Sequence, residues 1–144
     1  MTAYADTGLL LSLYLSETTT MEAIAALRSV PAPLPLTPLG LLELRNGLNL
    51  AVYRERITAA EHATVWQRVE QQIAAGVFVP TPLPAATLHA RARELSDRHT
   101  ATGGTRTLDI IHVAAALLLN AREFLSFDDR QRRMAKAEGL RVKP

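Results

Sequence analysis

The stretch that decides the fold is residues 106–140, RTLDIIHVAAALLLNAREFLSFDDRQRRMAKAEGL. It opens with an apolar run typical of a buried helix and continues through EFLSF, a short strand pattern. A polar helical segment follows and ends at Gly139, and LRV is the pattern of a last strand. Helices and strands that alternate in this way predict a parallel sheet with crossover helices.

The same alternation runs through the rest of the chain. Strands are predicted at TAYAD (residues 2–6), around Leu34 to Thr37 and at VFVPTPL. Predicted helices cover about 7–14, a second segment that ends at Arg28 (with Thr18 to Thr20 as candidate N-caps), 39–56, 57–76 (with Thr58 as the cap) and 84–99, with a loop at 101–107. We therefore predict a single α/β domain over residues 1–144, a three-layer α/β/α sandwich around a mostly parallel sheet.

Composition narrows the class of protein. A chain of 144 residues without cysteine has no disulfide, thiolate metal site or cysteine nucleophile. Its apolar runs are too short to span a bilayer and its N-terminus lacks a signal-peptide pattern, so we expect a soluble cytoplasmic protein. The net charge is +2, and arginine greatly outnumbers lysine. Because arginine suits bidentate phosphate contacts, a nucleic-acid partner is compatible with this composition.

The tripeptide Asp-Thr-Gly at residues 6–8 is also found in aspartic proteases. That fold is all-β and needs two such loops, whereas a helical pattern follows Gly8 in a chain with little strand content. The protease interpretation is therefore rejected. Asp6 ends the first predicted strand, where open parallel sheets place their sites.

Three further acidic residues have unusual surroundings. Glu43 lies in the apolar segment LGLLELRNGL, Asp109 begins the most apolar helix, and Asp128 directly follows a strand. Buried carboxylates are costly unless they are paired or bind metal, and several together repel one another. A hard divalent cation such as Mg²⁺ or Mn²⁺ removes that conflict.

Each of these residues also has a purely structural interpretation. Asp6 can bond turn amides, Glu43 can be solvated, and Asp109 can favour the helix N-terminus through the macrodipole. Asp128 or its neighbour Asp129 can cap the last helix. His112 lies one turn beyond Asp109 on the same face, so it either lines the cleft or packs in the core.

Together with YADTGLLLSLYLSE (residues 4–17) and LLELRNGL (41–48), the stretch from 106 resembles the PIN-domain family, in particular its VapC-like toxins. The resemblance runs from Tyr4 to Val142 and implies an α/β/α ribonuclease dependent on Mg²⁺ or Mn²⁺. The acidic residues that match the family's catalytic and metal-binding cluster are Asp6, Glu43, Asp109 and Asp128. Thr7 and Ser126 match hydroxyl positions beside it. Gly8 stands where many relatives have serine, and Asp129 is an alternative to Asp128.

The family's chemistry would follow from these ligands. Asp6, Glu43 and Asp109 would hold one cation, with Asp128 completing the site or assisting a second ion. The cation lowers the pKa of a bound water, and the resulting hydroxide attacks a phosphodiester in line. Candidates for holding RNA phosphates flank the acidic positions: Arg45, Arg106, Arg130, Arg132 and Arg133, of which the last two are equally typical of a solvated helix surface.

The resemblance also implies partners. VapC-like toxins pair with a cognate antitoxin whose C-terminal segment lies over the cleft, and they form homodimers. The apolar stretches LLLSLYL and LGLLEL are candidates for these contacts, although core packing explains them equally well. A housekeeping PIN nuclease of RNA maturation or decay and a non-catalytic RNA-binding module remain as alternatives. A phosphoacceptor receiver domain does not, since only Asp6 fits its acidic pocket.

Overall fold

The computed structural model describes residues 3–144, so Thr2 of the predicted first strand lies outside the described residues. The strands are β1 (Ala3–Ala5), β2 (Leu34–Leu36), β3 (Phe78–Pro80), β4 (Glu123–Leu125) and β5 (Arg141–Lys143). The helices are α1 (Thr7–Tyr14), α2 (Thr20–Arg28), α3 (Pro38–Tyr53), α4 (Ala59–Ala74), α5 (Ala85–Gly103), α6 (Thr107–Leu118) and α7 (Asp129–Ala137). The predicted alternation of strands and helices is confirmed.

All strand pairs described are parallel. One sheet has the order β1-β4-β5, with Tyr4 opposite Phe124 and Phe124 opposite Val142. β2 and β3 pair in a second sheet, which adjoins the first where β2 contacts β1. The chain therefore moves outward from β1 in one direction through β2 and β3, and later in the other direction through β4 and β5. This reversal of strand order lies between β1 and β4, where open sheets form their sites.

Alternation along the central strand divides the core into two parts. Ala3 and Ala5 point to one side of the sheet and Tyr4 to the other, as the pleat of a strand requires. Helices α1 to α4 cover the side of Ala3 and Ala5 and form the α1–α4 layer. Helices α5 to α7 cover the side of Tyr4 and Phe124 and form the α5–α7 layer. The structure thus has three layers, as predicted.

Local capping matches the sequence in most places. Thr37 and Thr58 begin α3 and α4, and their side chains accept hydrogen bonds from the N–H groups of Gly40 and Glu61. At α2 the N-cap residue is Thr19, one of the three candidates, but its side chain makes no capping hydrogen bond. Its hydroxyl instead contacts the Ser12 hydroxyl at 2.9 Å, so it joins α1 to the turn before α2.

Helix α5 is longer than predicted. It continues through Gly103, whereas the sequence suggested a loop from residue 101. Gly104 adopts a left-handed conformation with φ of 64°, and it ends the helix as a C-terminal glycine does. Only residues 104–106 therefore connect α5 to α6. Within residues 3–144, every helix is too short or too polar to cross a bilayer.

Candidate active site

The predicted acidic residues converge at the carboxyl edge of β1 and β4. Asp6 follows β1 directly and begins α1, while Asp128 follows β4 after a two-residue connection and begins α7. The N-termini of two helices therefore lie at the same edge of the sheet. Helix N-termini carry partial positive charge, which attracts carboxylates to this edge.

Asp6 is 3% exposed and uses both carboxylate oxygens. Its Oδ1 accepts a hydrogen bond from the Leu9 N–H at 2.8 Å, and its Oδ2 accepts one from the Ser126 hydroxyl at 2.6 Å. Burial raises the pKa of Asp6, whereas these two hydrogen bonds lower it. The negative charge of Asp128 adds to the upward shift in the pKa of Asp6.

Ser126 connects Asp6 with the start of α7. Its side chain is fully buried, donates to Asp6, and accepts a hydrogen bond from the Asp128 N–H at 3.0 Å. Asp128 in turn caps α7, since its Oδ1 accepts from the Gln131 N–H at 2.9 Å. The hydroxyl predicted from the sequence therefore lies between two of the four acidic residues.

Glu43 joins the same region from α3. Its Oε1 accepts a hydrogen bond from the Thr7 hydroxyl at 3.1 Å and lies 2.5 Å from His112 Nε2. The side chain of Glu43 is one-quarter exposed, so it is not the freely solvated residue considered as an alternative. Because Thr7 follows Asp6, these contacts connect α3 with the first turn of α1.

His112 is held between two groups. A carboxylate only accepts hydrogen bonds, so Nε2 donates to Glu43 and, in the neutral ring, Nδ1 accepts from the Tyr4 hydroxyl at 2.7 Å. Burial raises the pKa of Tyr4, which keeps this phenol protonated and able to donate. His112 is 3% exposed, so it packs in the core and also orients Glu43. Tyr4 was not among the site residues predicted from the sequence.

Asp109 lies in the first turn of α6 and accepts hydrogen bonds from Arg106 and Gln131. Its Oδ2 accepts from the N–H of Arg106 at 3.2 Å and from Arg106 Nε at 3.3 Å. The first bond is the reach-back half of a capping box, so the structural interpretation of Asp109 is also correct. The Arg106 guanidinium extends onward to within 3.8 Å of Asp128 Oδ2.

Gln131 is a site residue that sequence reasoning missed. Its Nε2 donates to Asp109 Oδ1 at 3.1 Å, while its backbone N–H donates to Asp128. The side chain is 6% exposed, and its Oε1 has no hydrogen-bond partner within the described residues. A signal was present in the sequence, since Gln131 precedes Met134 and Ala135 by three and four residues and thus lies on the apolar face of α7.

The remaining predicted residues make no hydrogen bond to the four acidic side chains. Asp129 is exposed, and the neighbouring Asp128, not Asp129, bonds into the network. Arg45 lies over the Trp66 ring at 4.5 Å, and Arg132 donates to the Ser126 carbonyl at 2.9 Å. Arg130 is exposed and lines a hollow beside Asp128.

The apolar stretches proposed for partner contacts differ from one another. Leu9 and Leu10 of LLLSLYL are buried in the core of the α1–α4 layer, which is the core-packing alternative. In LGLLEL, Leu44 is buried but Leu42 is 64% exposed next to Glu43. Leu108, beside Asp109, is also exposed. The exposed apolar side chains nearest in sequence to these carboxylates are therefore single residues.

The acidic side chains form a donor set of the kind that a divalent cation prefers. Among residues 3–144, no three Asp, Glu or His side chains stand close enough together to share a metal ion. The carboxylates are instead connected in pairs, and the Arg106 guanidinium lies beside Asp109 and Asp128. Carboxylate oxygens are the ligands that Mg²⁺ and Mn²⁺ prefer, and a cation would offset the burial of Asp6 beside Asp128. The residues fit such an ion by donor chemistry, with Arg106 supplying positive charge in the present arrangement.

Comparison with known proteins identifies the family. The model of the PIN domain matches residues 3–137, nearly the whole chain. This chain belongs to the PIN domain family. No curated protein matches the sequence significantly. The matched range includes Asp6, Glu43, Asp109 and Asp128.

Solved structures share the fold of this PIN domain. VapC20 of Mycobacterium tuberculosis, titled a Sarcin-Ricin loop cleaving toxin, has a TM-score of 0.71 at 18% identity, covering 99% of this chain and 100% of that one. FitAcB of Neisseria gonorrhoeae has a TM-score of 0.68 at 20% identity, with 99% and 96% covered. A toxin-antitoxin complex from Klebsiella pneumoniae has a TM-score of 0.62 at 20% identity, with 88% and 87% covered. At these identities the likeness establishes the fold.

Proposed function

We propose that this PIN domain is a metal-dependent endoribonuclease and the toxin of a toxin–antitoxin pair. The observation that carries the proposal is that Asp6, Glu43, Asp109 and Asp128 lie along one sheet edge, where buried and half-buried hydrogen bonds hold each of them in place. Carboxylates from four separate parts of the chain are costly to assemble for stability alone. In this proposal residues 1–144 form one domain.

The four carboxylates would hold Mg²⁺ or Mn²⁺. When bound, such an ion activates water for attack on a phosphodiester and stabilises charge on the phosphoryl oxygens. The surrounding side chains orient the ligands: Ser126 holds Asp6, Thr7 and His112 hold Glu43, and Gln131 holds Asp109. Such supporting contacts commonly determine metal affinity.

Arginine would position the RNA. The side chain of Arg106 is 67% exposed, although its guanidinium reaches Asp109 and Asp128. It can therefore turn from the carboxylates to a substrate phosphate when a cation replaces its charge. Arg130 lies beside Asp128 and is available for a neighbouring phosphate. Aromatic residues form only 5% of the chain, so RNA shape rather than base stacking would select the substrate.

The toxin role rests on the nature of the structural neighbours. One is described as a Sarcin-Ricin loop cleaving toxin and another as a toxin-antitoxin complex. An active ribonuclease needs restraint, and the exposed Leu42 and Leu108 beside the carboxylates offer apolar contacts for an antitoxin segment. Homodimer formation remains part of the proposal.

Purified protein tests the nuclease directly. We expect cleavage of single-stranded RNA with Mg²⁺ or Mn²⁺ and none with EDTA. Asp6→Asn and Asp109→Asn should each lower the cleavage rate by a factor of about 100 or more, because they remove ligand charge. Asp97→Asn, an exposed aspartate of α5, is the matched control and should leave the rate unchanged.

Inducible expression tests the toxin role. We expect growth arrest that Asp109→Asn relieves and that co-expression of the adjacent small gene also relieves. Cleavage in vitro without growth arrest would favour a housekeeping nuclease. Growth arrest that persists with Asp109→Asn would contradict the nuclease toxin.

A further inference from the structure

Positive charge is concentrated at the end of the chain. Residues 128–144 contain six arginine or lysine and three acidic side chains, a net charge of +3. Residues 1–127 carry eleven acidic and ten basic side chains, a net charge of −1. The basic character of the protein therefore comes from α7 and β5 and not from its whole surface.

Several of these cations have no acidic partner. Arg141 and Lys143 both contact Glu123, at 3.1 and 3.3 Å. Arg133 and Lys136 are exposed on α7, and neither forms an ion pair within residues 3–144. Their charges are available to an external anion.

Arg133 and Lys136 border a groove between α7 and β5. The α7–β5 groove has a volume of about 680 Å³, and its walls include Arg132, Arg133, Lys136 and Arg141. Its one acidic wall residue among those described is Asp129, which follows Asp128. Lys136 lies three positions after Arg133, about 4.5 Å along the helix axis, so both reach the same groove.

The groove continues from the candidate active site. A second hollow, of about 410 Å³, is lined by Asp128, Asp129, Arg130 and Arg133, among others. It shares Asp129 and Arg133 with the α7–β5 groove. An extended polyanion leaving Asp128 would therefore meet Arg130, then Arg133, and then Lys136.

We propose that the α7–β5 groove binds the phosphate backbone of the RNA on one side of the cleaved bond. This inference rests on the proposed function and adds the path of its substrate. Closely spaced cations suit a phosphate chain, and Leu140 and Val142 form the apolar part of this groove. Protein partners instead need buried apolar contacts, and the large exposed apolar residues of the described chain lie elsewhere: Met21, Leu42, Leu50, Tyr53, Val77 and Leu108.

Salt-dependent binding tests the groove without relying on cleavage. In the Asp6→Asn background, we compare the groove variant Arg133→Gln/Lys136→Gln with the control variant Arg54→Gln/Arg68→Gln. The control removes the same charge from exposed sites on α4 and the end of α3. For a long single-stranded RNA, the groove variant should reduce the slope of log affinity against log salt by about 1.4, or about 0.7 for each lost contact. Equal slopes for both variants overturn the proposal.

Cleavage of RNAs of different length separates this proposal from the proposed function. The groove variant should lose kcat/KM about tenfold on a long RNA relative to a trinucleotide, because only the long RNA reaches Lys136. An unchanged ratio of the two rates overturns the groove proposal while cleavage itself persists. If neither RNA is cleaved by the unmodified protein, the nuclease proposal fails, and the salt slopes still decide whether the groove binds RNA.

Discussion

In Asp6 of this PIN domain, burial and hydrogen bonding shift the pKa in opposite directions. Burial raises the pKa of its carboxyl above the ordinary 3.8, while bonds from Ser126 and Leu9 lower it. The folded state therefore binds a proton more readily than the unfolded state does. It follows that the ionised form of Asp6 costs stability whenever no cation is bound.

We expect Asp6→Asn to increase the free energy of unfolding in EDTA at pH 7. Asparagine keeps an oxygen for the Leu9 N–H and carries no charge. Between 3.8 and the raised pKa the folded state binds more protons, so wild-type stability falls as pH rises through that window. The advantage of the variant should grow over the same window. Urea unfolding over a pH series measures it, and a variant less stable at every pH would contradict this account.

Gln131 contacts two acidic residues: its side chain donates to Asp109 and its backbone N–H donates to Asp128. The bond to Asp109 stabilises an ionised acceptor, and the unpaired Oε1 opposes that gain. Stability and function are therefore separable at this position.

We expect Gln131→Met to leave the free energy of unfolding within about 1 kcal/mol of wild type, since a lost charged hydrogen bond and a removed unpaired oxygen offset one another. Affinity for Mn²⁺ should fall by a factor of about 10 to 100, because Asp109 loses its orienting contact. Calorimetric titration with Mn²⁺ measures the affinity. Gln71→Met, at an exposed position on α4, is the matched control. Unaltered Mn²⁺ affinity would show that Gln131 only packs.

Some of these site residues could be predicted from the sequence and others could not, for a physical reason. Asp6 and Asp128 were predictable because a strand end is visible in sequence, and parallel strands end at one sheet edge. Tyr4 and Gln131 were missed because their roles depend on which face of an element turns toward the cleft. That depends on three-dimensional packing, which residue spacing indicates only in part.

At the level of elements, the contact between α1 and α3 places Glu43 beside Thr7. It depends on Gly47, because a Cβ there would lie 2.5 Å from Leu11 Cδ1. Glycine is otherwise unfavourable inside a helix by about 0.5–1 kcal/mol relative to alanine. Close approach of the two helices therefore explains a glycine in the middle of α3.

We expect Gly47→Ala to lower the free energy of unfolding by about 1 kcal/mol, because the clash with Leu11 exceeds the gain in helix propensity. In a Leu11→Ala background the same substitution should instead stabilise by about 0.5–1 kcal/mol. Chemical unfolding of the four proteins gives both values. The same sign in both backgrounds would rule out the close contact as the reason for Gly47.

Element boundaries were less predictable than their order. The strands and helices occur in the expected sequence, yet α5 extends to Gly103 and Thr19 fails to cap α2. Both differences arise at turns. There, one left-handed glycine or one contact between two hydroxyls outweighs local propensity.

At the level of the whole molecule, the candidate site joins the two helical layers. Glu43 comes from the α1–α4 layer, whereas Asp109 and Gln131 come from the α5–α7 layer. The central sheet supplies Asp6 and Asp128 at its carboxyl edge. An ion bound at this edge would therefore connect all three layers.

We expect Mg²⁺ to stabilise the whole fold, by about 2.7 kcal/mol at a concentration 100 times its Kd, because it binds the folded state alone. Thermal unfolding at increasing Mg²⁺ measures the gain. Asp109→Asn should abolish most of it, whereas Asp97→Asn, exposed on α5, should preserve it. A melting temperature independent of Mg²⁺ would contradict binding at this edge.

The two roles of Asp6 and Asp128 also limit which substitutions can accumulate at these positions during evolution. Each caps a helix as well as bordering the cleft, so alanine at either position would remove a charge and a cap worth about 1 kcal/mol. Asparagine, serine or threonine would remove only the charge. A lineage selected to lose activity would therefore retain small hydrogen-bonding residues at positions 6 and 128. Position 43 caps no helix, but its side chain accepts the hydrogen bond of the buried His112, so the same lineage would retain an acceptor such as glutamine there.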